Sequence, residues 1–491
     1  MKALAACLAL LLVSACAQIS PRRPAEMPLS AEQACRARLE QTDRLIDRAR
    51  VRDAEGARVE GFPYLRVDRF LASFSNEVSQ AARFDAWRDR MRKFDHEARM
   101  FEFSNLDIEQ RDRLAALWSA HPAPAALDEA VDRCAETLMK ADGASSTQRD
   151  RLRKAAHVPD DYDTWKRVLG VYWLARLPFS AGVQRYQRSV QETFDEPLAE
   201  LPVLGRLEEY MPRERANGPM NEDIVVDALG IPQPTEAQRD TLWATYAPIW
   251  IVDTADNNDR IGRVVLDARG GVRVDTQTPV AYRRLAYTRI GDKVLIQLVY
   301  STWFASRPKT SRFDLLGGQL DSVVWRVTLS SDGTPLIFDS IHSCGCYAQF
   351  FPTPRARLRP RSARLEEGAF VPQSLPKLTS ANRIGLRIAS GTHYIERVLI
   401  DPPLDPNART YLMVSDAQLR SLPVPGDDRR SAFRSDGIVA GSERAERYLF
   451  WPMGVRAPGA MRAWGRQATA FMGRRHFDEA RLIERYFEVV P

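Results

Sequence analysis

Residues 323–341 read VVWRVTLSSDGTPLIFDSI. Val323–Leu329 and Leu336–Ile341 are short runs rich in β-branched and aromatic side chains, the composition of a half-buried strand. Between them Ser331-Asp332-Gly333 supplies an Asp-Gly pair, which tolerates the positive backbone angles of a tight turn. The stretch therefore reads as a β-hairpin. The same alternation of apolar runs and turn residues recurs at Ile249–Val252, Gly262–Leu266, Val272–Asp275, Lys293–Trp303, Ile384–Ile388 and Tyr394–Ile400. So many evenly punctuated strands predict a mostly antiparallel sheet, as a sandwich or barrel.

The first half of the chain has a different period. Ser30-Ala31-Glu32-Gln33 is a capping box, followed to about Arg50 by a stripe of Leu39, Leu45 and Ile46. After the breakers Gly56, Gly61 and Pro63, helices are predicted over Tyr64–Gln80, Ala81–Met100, Ile108–Ser119, Ala125–Lys140, Asp160–Leu174 and Ala181–Phe194, the last two separated by Pro178. The aromatics of 160–174 suit a core, or the lining of a cleft. Thr235-Glu236-Ala237-Gln238 is a second capping box, opening a short helical pair. The tail from Ala457 to Glu488 reads as two helices. The expected fold is α+β: a helical domain over 31–215, then over 216–491 a β-rich, mostly antiparallel domain closed by C-terminal helices.

The hairpin runs directly into the one dense cluster of ligand-type side chains, His342-Ser343-Cys344-Gly345-Cys346. In extended backbone His342, Cys344 and Cys346 share a face. Two thiolates and an imidazole are a partial shell for zinc or copper(I), with His393 as a fourth ligand from another strand. Alternate strand residues lie nearly 7 Å apart, so Gly345 must bend the chain for them to converge. The same bend would allow a Cys344–Cys346 disulfide, a structural clip or a redox element. These readings stand open.

Weaker signals accompany it. Asp253, Asp256 and Asp259 offer oxygens to calcium but lack the EF-hand pattern, and read as a polar turn. Asp314-Leu315-Leu316-Gly317-Gly318 lacks the glycines and lysine of a phosphate loop. Ser442 is in no nucleophile elbow. Arg474-Arg475-His476-Phe477-Asp478 could bind an anion, or simply end a helix.

Of six cysteines, Cys7 and Cys16 lie near the amino terminus, where Lys2 precedes the apolar run Ala3–Val13. That layout is a secretory signal, too short to span a membrane. The tetrad Val13-Ser14-Ala15-Cys16 resembles the lipobox of bacterial lipoproteins. The resemblance implies a signal peptide over 1–15, acyl chains such as palmitate on Cys16, and a tether over 16–30. Ala17, in place of Asp, implies sorting to the outer membrane, facing the periplasm. In that oxidising compartment Cys35 and Cys134, both in helical-looking sequence of the first half while the other two cysteines are neighbours in the second, are expected to pair, worth about 4 kcal/mol in the chain-entropy model.

The net charge of +6 over 491 residues, with acids and bases interspersed, argues against nucleic-acid binding. No complete catalytic set is present. The expectation is a lipid-anchored envelope protein that binds a partner or small-molecule ligand. The alternative is a metal-dependent or thiol-redox enzyme centred on the His-Cys-Cys stretch.

Overall fold

The computed structural model describes residues 29–119, 124–214, 223–360, 366–426 and 428–490. The expected signal peptide and lipobox, with Cys16, lie outside them. The fold is α+β, with helices at the amino-terminal end and a curled mixed sheet that forms a half-barrel.

The first helix, Ala31–Ala49, starts at the expected box: Gln33 N donates to Ser30 Oγ and Ser30 N to Gln33 Oε1. Its buried stripe of Cys35, Leu39, Thr42 and Ile46 lies against helix Pro124–Ala144, where Leu127, Val131 and Leu138 are buried. The Cys35–Cys134 disulfide joins the two helices, closing a separation of 99 residues. Helix Ala81–Ser104 packs on the same core and adds buried charge. Arg66 donates to Asp95 at 3.1 Å and to Glu102 at 2.8 Å, and Arg99 to the other Asp95 oxygen at 2.7 Å.

The large sheet runs in the order Gln349–Pro352, Pro335–His342, Gly318–Leu329, Lys293–Arg307, Val280–Ile290, Arg409–Ser415, Arg206–Pro212, Ile249–Thr254, Ile384–Ile388, Ile395–Ile400. The strands from 280 to 352 form an antiparallel meander. Arg409–Ser415 joins this meander to the rest of the sheet and is parallel to both of its neighbours. The expected hairpin pairs His342 with Val323 and turns with Gly333 at φ +77°.

Several elements differ from the sequence reading, for local reasons. Residues predicted as helix from Tyr64 begin instead as the buried strand Phe62–Val67, hairpinned to Ala57–Val59 through Gly61 at φ +79°. Its aromatic and branched side chains fill the core beneath helix Ala81–Ser104, and a tertiary slot outweighs weak helix propensity. Pro178 does not separate two helices but lies inside Tyr172–Asp195. Thr235 does cap a helix, Glu236–Tyr246, but no partner helix accompanies it among the described residues nearby. The tail is irregular except for the helix Leu482–Tyr486 and the short strand Phe487–Val489 that follows it, because Gly459, Gly465 and Gly473 take positive φ. Four strands of the large sheet went unread, Val280–Ile290, Arg206–Pro212, Gln349–Pro352 and Arg409–Ser415. In the first, Arg283 and Arg284 interrupt the apolar pattern. One lies over the Trp243 ring and the other pairs with Glu55.

Cys35→Ser should lower unfolding stability by about 4 kcal/mol, read from the shift of a denaturant midpoint. The same loss on reducing the unmutated protein would assign it to the disulfide, whereas an unchanged midpoint would remove the staple from the account.

Candidate functional site

The loop after the hairpin is a tight turn rather than an extended strand. Gly345 N donates to His342 O at 2.8 Å, and His342 N to Cys346 O at 3.0 Å. Gly345 sits at φ +89°, and a Cβ there would lie 2.4 Å from Ala468 O, so the position admits only glycine. The turn, not strand alternation, brings the two cysteines together. They are free thiols in this structure. Cys346 and Arg444 lower the Cys344 pKa against burial. Cys344 and burial raise that of Cys346.

His342 and His393 do come together, but on a carboxylate. His342 Nδ1 is 3.1 Å from Asp321 Oδ1 and His393 Nδ1 is 3.0 Å from Asp321 Oδ2. Arg444 Nη2 stands 3.4 Å from the same carboxylate, and the second nitrogen of His393 is 3.4 Å from Asp259 Oδ1, at ion-pair distance. The His393 ring stacks on Phe304 with centroids 3.9 Å apart. Among the described residues no group of three or more His, Cys, Asp or Glu side chains is arranged to hold a metal ion.

Burial works to raise the Asp321 carboxyl, yet His342 and Arg444 hold it well below the usual carboxylate range. Burial likewise works against a charged His393, but Asp259 and Asp321 outweigh it and its pKa rises. His342 is pushed down by burial, against the pull of Asp321. The two imidazoles are thus pushed in opposite directions, His393 toward its charged form and His342 toward its neutral form.

Three non-glycine residues in this cluster occupy the left-handed region: Leu320 at φ 61°, Tyr347 at 64° and His393 at 55°. Each such residue costs on the order of 1–3 kcal/mol, and such strain concentrates at functional sites.

Next to the turn lies a cleft of about 500 Å³ beneath helix Tyr172–Asp195. Phe179, Val183, Leu316, Ala348, Phe450 and Phe471 give it apolar walls. Its polar floor is Cys346, Tyr347, Tyr394 and Glu446. Arg307 holds the two tyrosines, donating to Tyr347 Oη at 3.3 Å and Tyr394 Oη at 3.1 Å. Glu446 is 2% exposed, and no hydrogen bond or ion pair of its carboxyl is found among the described residues. Gly459 makes room for it, since a Cβ there would fall 1.8 Å from Oε1. Burial raises its pKa to about 7, against Arg444 and Arg307. A larger opening of about 670 Å³ beside the Ser331–Gly333 turn has no buried carboxyl among its described lining residues.

The weaker sequence signals are explained structurally. Asp259 accepts from Ala255 N, Ser390 Oγ and Gly391 N. Asp314 caps its own turn through Leu316 N. Ser442 Oγ donates to Val439 O. His476 stands 3.4 Å from Asp161 Oδ2. The sequence reading missed Asp321, Arg307, Arg444 and Glu446. Asp321 had one local signal, a carboxylate opening an otherwise apolar strand. Glu446 had none.

The chain matches no protein-family model, no curated protein and no solved structure, so the site is read from its own chemistry.

Asp321→Asn removes the charge between two imidazoles and should cost about 3–5 kcal/mol near neutral pH, as for breaking a buried ion pair. The sign follows from linkage. A depressed carboxylate stabilises above its unfolded pKa, and the benefit disappears as pH falls through the folded value. The deficit of the variant, measured by denaturant unfolding, should therefore shrink as the pH falls below the ordinary carboxylate range. A deficit independent of pH would mean that packing, not charge, is lost.

Proposed function

We propose that this chain is an outer-membrane-anchored envelope lipoprotein that binds an apolar small molecule carrying one polar group. The cleft beneath helix Tyr172–Asp195 would be the binding site. The observation behind the binding reading is Glu446, a buried carboxyl without a partner, lining a cleft whose walls are mostly apolar. An occupant of the cleft strips water from this carboxyl, and leaving it unmet would then cost about 1–3 kcal/mol. A ligand that meets Glu446 with a donor or acceptor avoids that cost while burying its own apolar surface. With a pKa near 7, the carboxyl can donate as the acid or accept as the carboxylate. The aromatic floor of Tyr347 and Tyr394, with ring centroids 4.6 Å apart, offers a flat apolar contact. The anchor reading rests on the Val13-Ser14-Ala15-Cys16 tetrad.

A second reading, a periplasmic thiol-redox enzyme, is favoured by one observation. The turn at Gly345 sets two free cysteines side by side, and Cys346 and Arg444 draw Cys344 toward the thiolate, the nucleophilic form.

The binding reading predicts saturable fluorescence enhancement of a naphthylamine probe. Ala348→Trp, which fills the cleft, should abolish it while leaving circular dichroism unchanged. Equal enhancement in both proteins would place the probe elsewhere and overturn the assignment. For the anchor, Cys16→Ser should abolish incorporation of labelled palmitate, and undiminished label would refute acylation at that residue.

A further inference from the structure

Helix Thr164–Leu169 and the first half of Tyr172–Asp195 carry an apolar face that no described part of the chain covers. Trp165, Leu169 and Trp173 are 59%, 67% and 65% exposed. The short helix Arg447–Phe450 extends the face with Tyr448 and Leu449, at 70% and 53%. These segments form one surface. Arg167 Nε donates to Met453 O at 2.8 Å, Gly170 backs closely onto Pro452, and Phe179 meets Phe450 edge to face at 5.2 Å. Ten of the exposed large hydrophobic side chains fall within residues 165–177 and 448–451. Single exposed apolar residues are ordinary, but a contiguous concentration marks an interaction surface.

Charge and residue type together indicate the occupant. From Thr164 to Gln191 the chain carries Lys166, Arg167, Arg176, Arg185 and Arg188 and not one Asp or Glu. Arg185 and Arg188 are exposed, and Arg447 adds a cation on the neighbouring helix. Two copies face to face would bring cations against cations, which opposes self-association. Tryptophan and tyrosine combine an apolar ring with a polar tip, the property that places them at the headgroup level of bilayers. A helix with such a face and cationic flanks lies in the plane of an anionic interface.

We propose that this face docks on an anionic lipid bilayer, with helices Thr164–Leu169 and Tyr172–Asp195 in the plane of the interface. Leu449 belongs to this face and also lines the cleft beside Phe179 and Phe450, so docking turns the mouth of the cleft toward the acyl chains. The docking holds whether or not the cleft takes a ligand.

The test uses the full chain on vesicles of phosphatidylcholine and phosphatidylglycerol whose acyl chains carry bromine, a contact quencher of tryptophan. Quenching is expected in the unmutated protein. It should be lost in Trp165→Phe/Trp173→Phe/Trp451→Phe, in which the fold is kept and only the reporters on this face are removed. Omitting phosphatidylglycerol or raising the salt should weaken it. Equal quenching in the two proteins would place the contact elsewhere on the chain and overturn the proposal. So would a concentration-dependent dimer, abolished by Trp173→Glu, in a protein whose tryptophans are not quenched. That result would assign the face to a second copy.

Discussion

The hydrogen bond between Asp321 and His393 is the contact on which the shape of the sheet depends. Asp321 lies in the third strand of the sheet order, and His393 in the turn joining the ninth and tenth. Six inter-strand steps would hold them about 29 Å apart in a flat sheet, yet His393 Nδ1 stands 3.0 Å from Asp321 Oδ2. Only a strongly curled sheet satisfies that distance. The right-handed twist of strands supplies the tendency to curl, and the carboxylate between two imidazoles closes the two ends over each other.

The same contact explains why charges are tolerated so deep in the molecule. Asp321 has an imidazole on each oxygen and the Arg444 guanidinium beside it, while His393 faces Asp259 from its other side. The local strain is part of this arrangement. Leu320 leads Asp321 into place and His393 aims its own ring, both from left-handed backbone. Tyr347, the third residue in that conformation, turns from the Cys-Gly-Cys loop to the cleft floor. The closure of the sheet, the thiol turn and the cleft are thus one continuous structure.

Much of the architecture was legible because it is local. Capping boxes at Ser30 and Thr235, the Asp-Gly turn at 332–333 and the need for Gly345 to bend each involve residues within a few positions of one another. The Cys35–Cys134 pairing is long-range but was readable, since a helical stripe fixes which face each cysteine presents. The reading failed where a tertiary environment overrode the local pattern. The strand Phe62–Val67 and the arginine-interrupted strand Val280–Ile290 owe their form to the surfaces they pack on. The tail does not form the expected helices because glycines at positive φ break it.

The sequence alone determined the α+β class, the main hairpin and the staple between the first and fifth helices of the chain, because periodicity and turn chemistry act over short separations. It also singled out His342, Cys344, Cys346 and His393. Only the tertiary structure decided what these residues face. It gave both imidazoles to Asp321, left the two thiols to each other, and set Glu446 unpartnered against an apolar cleft. The physical reason is that a carboxylate seeks its partners through space. Where the curl of a ten-stranded sheet brings those partners is a property of the whole fold, which no stretch of residues carries by itself.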